Sequence, residues 1–517
     1  MKFKFTHLFL LLTVLIPLSG CHIFGLNRFI PYTDVIEDDD TFERIDGEGY
    51  YKPASYLPIS YYDCYTREES TLNNYHEMFS TRTKNYWRSG LDSVGTQRLL
   101  VIPVSFRDYY ITATGRSEEE TKTTLENVFF GAKEATSFES VASFYNRTSY
   151  GKFKLEGKVS NWFQYPRTAE DLENLSSAAT YEIALDAVEW YFKSHPEDRT
   201  YFDQNGDGRV DALYLIYSCP PAENGASSNS IFWAYTVYNN TSSLIGNYSW
   251  TSYYQLNDDI GYADARVLIH ETGHLFGLPD LYNTNGGTIT PSGRLDMMDY
   301  SIGDHSSLMK MLLSWTRPFV VTGPTRLTLR PFTTSGDVIL IPHPNGWNGS
   351  MFDEYLLVEF YAPVGFNYPS SYISFYTGDG HYESASMPPR PGVKIYHVDA
   401  TLGYFHVTSA GSTSFLHEVD ETYRPSDASF WLDLAYSNNS NTHPLYLLLE
   451  KSESNRFLTT GGTMDMTSLY LEGDNFGEET YSNFTFYDNT PLNISMDVVD
   501  MNNYEVTLDF DFKVINE

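Results

Sequence analysis

Cysteine is nearly absent from this chain, with three in 517 residues. That is too few for a disulfide framework, so the fold must stand on burial, with or without metals. Positive charge is also scarce. The 34 Lys and Arg face 67 Asp and Glu, a formal net charge of −33, which excludes nucleic acid and anionic membrane surfaces as main partners because both select clustered basic residues. No apolar run reaches the roughly 20 residues needed to span a bilayer, and no repeat of fixed period is found. Aromatic residues, by contrast, make up 16% of the chain, which excludes a disordered polymer. The length predicts about two to four domains with at least one large core.

Lys2 and Lys4 precede an apolar run from Leu8 to Leu18, which leads into Leu18-Ser19-Gly20-Cys21. This resembles a bacterial lipobox, and the resemblance implies cleavage before Cys21 and lipidation of Cys21. Residues 1–20 are then a lipoprotein signal peptide and 21–95 a tether or pro-like segment. The mature protein is expected at the extracellular face of a bacterial membrane, held there by its N-terminal lipid alone. Cys64 and Cys219 are left as thiols that could pair.

Leu99–Phe106 is a continuous apolar run that reads as a buried strand, with Pro103 pointing to an irregular or edge position. Helical spacing follows over 118–129 and 137–146, the second preceded by the capping-box pattern Thr136-x-x-Glu139, and again over 183–191. Ala212–Tyr217 reads as another buried strand. From about Arg317 onward, short β-type runs such as Val338–Ile341, Tyr355–Val358 and Tyr504–Phe510 are separated by Gly, Pro, Asn and Ser. The expected class is therefore α+β, with a mixed domain over 96–317 and a β-sandwich-like domain over 318–517.

The most informative stretch is His270-Glu271-Thr272-Gly273-His274-Leu275-Phe276-Gly277-Leu278-Pro279-Asp280. On a helix of about 3.6 residues per turn, His270 and His274 face the same way, so both imidazoles can bind one Zn²⁺. Glu271 is placed to act on a water at the open coordination position rather than as a ligand. Gly277 can end the helix and turn the chain back, which could bring Asp280 in as third ligand. Leu295-Asp296-Met297-Met298-Asp299-Tyr300 follows at the interval of a metzincin methionine turn, with Met298, or alternatively Met297, as the apolar floor and Tyr300 as a candidate to stabilise an oxyanion or to act as an outer ligand.

Together these segments resemble the immune inhibitor A family of secreted bacterial zinc metalloproteases, which use Asp where most metzincins use a third His. The resemblance extends to Leu99–Phe106, Ser149-Tyr150-Gly151 and Gly392–Asp399, covering roughly 97–515, with Leu295 standing where an aromatic is usual. It implies a zincin or metzincin-like catalytic domain and a zinc endopeptidase acting on proteins or peptides.

A second cation site is expected at Asp203-Gln204-Asn205-Gly206-Asp207-Gly208-Arg209-Val210-Asp211. Asp203, Asn205, Asp207, Arg209 and Asp211 occupy positions one, three, five, seven and nine of an EF-hand-like calcium loop, with Gly at six. The loop runs into a strand and has Tyr214 at twelve, so it is not a true EF-hand. The alternative to a protease is a lipid-anchored adhesin or carbohydrate-binding surface protein with a vestigial zinc site. Oligomeric state is not legible from these residues.

Overall fold

A computed structural model describes residues 91–513 apart from 174, 176, 223–230, 239–241, 257–262, 346, 373–374, 377–381, 384–386, 408–412 and 419–429, together with 49–51, 59–62 and 69–72. Cys21 and Cys64, and with them the expected lipid anchor and signal segment, lie outside the described residues. The class is α+β. Among the described residues no helix is long and apolar enough to cross a membrane.

The first half is built on β1 (Gly95–Ser105), α1 (Glu118–Phe130), α2 (Val141–Thr148), β2 (Phe153–Val159), β3 (Phe163–Gln164), α3 (Ser177–Ser194), β4 (Leu213–Tyr217), β5 (Tyr235–Val237), β6 (Tyr248–Ser252) and α4 (Arg266–Leu275). The sheet order is β2-β1-β4-β6-β5, with β3 continuing β2 beside β1. All pairs are parallel except β5 on β6, which is antiparallel and forms an edge. A parallel sheet is buried on both faces, which is why its strands read as unbroken apolar runs. Leu100, Ile102 and Val104 join Ile183, Ala187 and Val188 of α3 in one core. Leu99 and Val101 join residues of α1, α2 and α4 in the other.

Two local expectations are sharpened or corrected. Of the irregular and edge positions open to Pro103, the structure shows the irregular one, within an interior strand. Leu100 N donates to Ala212 O and Val104 O accepts from Ser218 N, so the even positions face β4 and Pro103 faces the opposite neighbour. There β2 has ended opposite Val101 and β3 begins opposite Val104, so the missing N–H falls in a gap in the ladder. The correction concerns α2, which starts at Val141 with Ser140 and Ser143 forming its capping box. Glu139 instead pairs with Arg147 through one carboxylate oxygen and accepts from Ser143 Oγ at 2.6 Å through the other.

The second half adds α5 (Ser307–Leu312), β7 (Phe319–Val321), β8 (Thr325–Leu329), β9 (Val338–Pro342), β10 (Glu354–Tyr361), β11 (Gly392–Asp399), β12 (Tyr446–Leu448), β13 (Asn475–Phe476), β14 (Ile494–Met501) and β15 (Val506–Phe512). A six-stranded sheet runs Tyr50–Tyr51, β7, β9, β10, β11, β12, and a four-stranded antiparallel sheet runs β8, β15, β14, β13. Every residue of β10 and β11 is buried. One face of the larger sheet meets α5, where Glu359 accepts from Ser307 N at 2.9 Å. The other meets the 484–487 segment, where Glu354 accepts from Tyr487 N at 2.7 Å. One apolar core runs without interruption across residue 317, joining Phe144, Met298 and Trp315 to Val358, Tyr396 and Tyr446.

Candidate metal centre

Helix α4 carries His270 and His274 one turn apart with Glu271 next to the first, and its end is what positions the rest of the site. Gly277 adopts φ +88°, Gly277 N donates to His274 O at 2.8 Å and Leu278 N to Gly273 O at 3.1 Å. That pair of bonds is a Schellman motif, which needs a left-handed residue and therefore favours glycine. The reversed chain returns Asp280 to the two imidazoles. His270 Nε2 and His274 Nε2 each stand 3.2 Å from Asp280 Oδ1.

The tautomers follow from the other ring nitrogens. His270 Nδ1 lies 2.7 Å from Met297 O and His274 Nδ1 lies 2.8 Å from Leu278 O. Carbonyl oxygens only accept, so both Nδ1 atoms carry the proton and both Nε2 lone pairs turn inward. Asp280 Oδ1 is buried and makes no hydrogen bond. With both imidazoles neutral, three electron-pair donors converge on one point, and a cation, a proton or a metal ion, is what such a set lacks. Two imidazoles and a carboxylate suit zinc. The 3.2 Å separations also match the edge of a tetrahedron with bonds of about 2.0–2.1 Å, which is about 3.3 Å. The residues therefore fit zinc.

Without a cation the three groups lean on one another. Burial pushes His270 down, but the carboxylates of Asp280 and Glu271 outweigh it and hold the imidazole up at about 9. Burial likewise opposes ionisation of Asp280, yet its two histidine neighbours hold the carboxyl well below its ordinary range.

Glu271 is 5% exposed and burial raises its pKa, although both histidines pull the other way. Thr236 of the edge strand β5 donates to Glu271 Oε2 at 3.1 Å, which leaves Oε1 to accept a proton. Beneath the histidines lies Met298, fully buried. Its amide donates to Asp296 Oδ1 at 2.6 Å, and Asp296 Oδ2 accepts from Ser306 N at 2.6 Å. A Cβ placed on Gly273 would meet Met298 Sδ at 2.3 Å, so the glycine between the histidines is what lets the thioether pack there.

Tyr300 is 36% exposed, with the Arg294 guanidinium 5.0 Å above its ring. The tyrosine that faces the cluster is Tyr282, which the sequence reading missed. Its ring centroid is 6.3 Å from that of His270, and burial, together with the Asp280 and Glu271 carboxylates, pushes its phenol well above the ordinary range. Its place two residues after the third ligand was the available signal.

The loop at 203–211 brings carboxylate oxygens of Asp203, Asp207 and Asp211 within 4.8 Å of one another. Gly206 and Gly208 both take positive φ, at +74° and +88°. Asn205 Oδ1 accepts from Asp207 N and Asp207 Oδ1 from Arg209 N, each at 2.9 Å. Asp203 Oδ1 is buried without a partner, and desolvation aided by Asp203 and Asp207 drives Asp211 up to about 7. Crowded carboxylates with an orphan oxygen fit calcium. Cys219 is buried, and burial pushes its thiol far up.

No family model matches this chain, and no curated protein does. Among solved structures, wild-type OgpA from Akkermansia muciniphila is similar at 12% identity and a TM-score of 0.25, over 65% of this chain and 84% of that one. A likeness at that level carries no argument about function.

Proposed function

We propose that this protein is a zinc endopeptidase with a metzincin-like catalytic unit, exported by a bacterium and tethered through Cys21 to a membrane, where it cleaves proteins or peptides. The observation that carries the reading is the convergence of His270 Nε2, His274 Nε2 and the orphaned Asp280 Oδ1 beside a buried glutamate. A purely structural helix has no use for three unprotonated donors aimed at one point, nor for Glu271 next to them.

Zinc held by His270, His274 and Asp280 would supply a Lewis acid to polarise the scissile carbonyl and activate water near neutral pH. The remaining work falls to the chain. His270 and His274 are held in the ligand tautomer by Met297 O and Leu278 O. Glu271 Oε1 takes the proton of the attacking water and returns it to the leaving amine, while Thr236 fixes Oε2. Burial favours the protonated form of Glu271, which suits a group that must hold a proton between two steps. Tyr282, whose ring lies beside His270 while Tyr300 packs against Arg294, is assigned to the oxyanion. Calcium at 203–211 braces the start of β4.

Glu271→Gln should retain one equivalent of zinc and lose chelator-sensitive peptide cleavage by at least about 100-fold. Full cleavage by that variant would refute the mechanism, and a wild-type protein that takes up no zinc would refute the whole reading.

A further inference from the structure

The segment that carries Asp280 belongs to no helix or strand, and it is gripped from the other half of the chain. Leu281, the next residue, donates its amide to Met298 O at 2.8 Å. Its carbonyl accepts from Asn438 Nδ2 at 2.8 Å. Asn438 is 1% exposed, and its Oδ1 accepts from the amide of Tyr446 at 3.0 Å, the first residue of β12. Asn439 Oδ1 accepts from both the amide and the hydroxyl of Thr284, at 2.7 and 3.0 Å. Two consecutive carboxamides therefore hold the backbone on either side of Tyr282.

The loop that bears them is fixed in turn. His443 is stacked between Tyr436 and Tyr487, with ring centroids 3.7 and 3.6 Å away. Its Nε2 lies 2.7 Å from Asp399 Oδ2 at the end of β11. His443 N donates to Ser440 Oγ at 2.9 Å, closing the loop on itself. A side chain that bridges a rigid sheet to the residue beside a metal ligand is built for position. Asn438 offers the donor and the acceptor this needs, and a hydrophobic residue there would leave Leu281 O and Tyr446 N buried without partners.

We infer that the 436–446 loop is a positioning clasp for the third metal ligand. Asn438 and Asn439 fix 281–284 so that Asp280 Oδ1 stands equidistant from the two Nε2 atoms. The inference rests on the metal site proposed above and makes the β-rich half a working part of it. Loss of a partner outside the ligand set typically weakens metal affinity about 10–100-fold.

The test uses the full chain with Asn438→Asp, which keeps an acceptor for Tyr446 N but removes the donor to Leu281 O, and with Asn439→Ala at a partly exposed position. Two readouts are followed: amide hydrogen exchange at 280–284 in metal-free protein, and metal affinity by chelator competition with zinc, alongside the visible spectrum of the cobalt(II) form. Asn438→Asp should exchange faster at 280–284, bind zinc about 10–100-fold more weakly and shift the cobalt bands. Asn475→Ala, which removes a comparable two-sided carboxamide from the four-stranded sheet, should leave all of these unchanged. If Asn438→Asp fails to fold, Asn439→Ala decides on the same readouts. Normal exchange and affinity in a folded clasp variant overturn the clasp alone. A wild type that binds neither metal overturns the clasp together with the proposed function.

Discussion

Gly273→Ala tests whether the floor beneath the histidines is as closely packed as the geometry requires. The added Cβ would lie 2.3 Å from Met298 Sδ, 3.0 Å from Met298 Cε and 3.4 Å from the Tyr145 hydroxyl. Non-bonded carbon contacts are comfortable at about 3.5–4.0 Å, so the sulfur must retreat by more than about 1 Å. Overpacking of this kind costs about 1–3 kcal/mol, and the flexible thioether places the cost toward the low end. Replacing a mid-helix glycine by alanine returns about 1 kcal/mol of helix propensity. The net change in stability should be a loss of about 0–2 kcal/mol, read as a shift in urea midpoint. Zinc binding should suffer more than stability does. Met297 O orients His270, Met298 O anchors Leu281, and a displaced Met298 disturbs both. Met298→Ala in the same chain removes the clash, so the double variant should recover part of the zinc affinity lost by Gly273→Ala, with a coupling of at least about 0.5 kcal/mol. If Gly273→Ala gains about 1 kcal/mol, binds zinc normally and shows no coupling to Met298, the reasoning about the floor fails.

The loop at 203–211 should respond to calcium with a higher melting temperature, about 2.7 kcal/mol of stabilisation at 100 times the dissociation constant. Asp203→Asn and Asp211→Asn should abolish that response, and a wild type indifferent to millimolar calcium refutes the site. A separate pH effect is expected from Asp353, which burial raises from 3.8 to about 6 although it accepts from Asn348 N and Glu354 N. Between those two values the folded state holds a proton that the unfolded chain has released, so stability should fall as pH rises from about 4 to about 6 and level off above. Asp353→Asn should flatten that slope in urea midpoints measured against pH, and an identical slope in the variant refutes the assignment.

Much of the site was legible because its signals are local. The spacing of His270 and His274 on one helix face depends only on helical geometry, and Gly277 announces a left-handed turn that is itself a short-range event. The calcium loop likewise keeps its donors within nine residues. What failed to be legible was long-range. The gap that accommodates Pro103 exists because two separate segments, β2 and β3, share one side of β1. Tyr282 lies beside His270 while Tyr300 sits under Arg294, and the backbone on either side of Tyr282 is bonded to Asn438 and Asn439, some 150 residues away in sequence.

Cysteine scarcity and acidity set the terms at the outset: three cysteines rule out a disulfide framework, so burial was left to hold the molecule. Residue order alone determined the helix that aims two imidazoles one way, the turn that follows it and the clustering of acidic side chains at 203–211, since each depends on backbone geometry over one or two turns. Only the tertiary structure decided that Asp280 Oδ1 completes the first set without a hydrogen-bond partner, that Met298 fits beneath it because Gly273 has no side chain, and that the β-rich half shares its core with the site and grips it. Those outcomes depend on which distant surfaces exclude water from one another, and no local pattern encodes that.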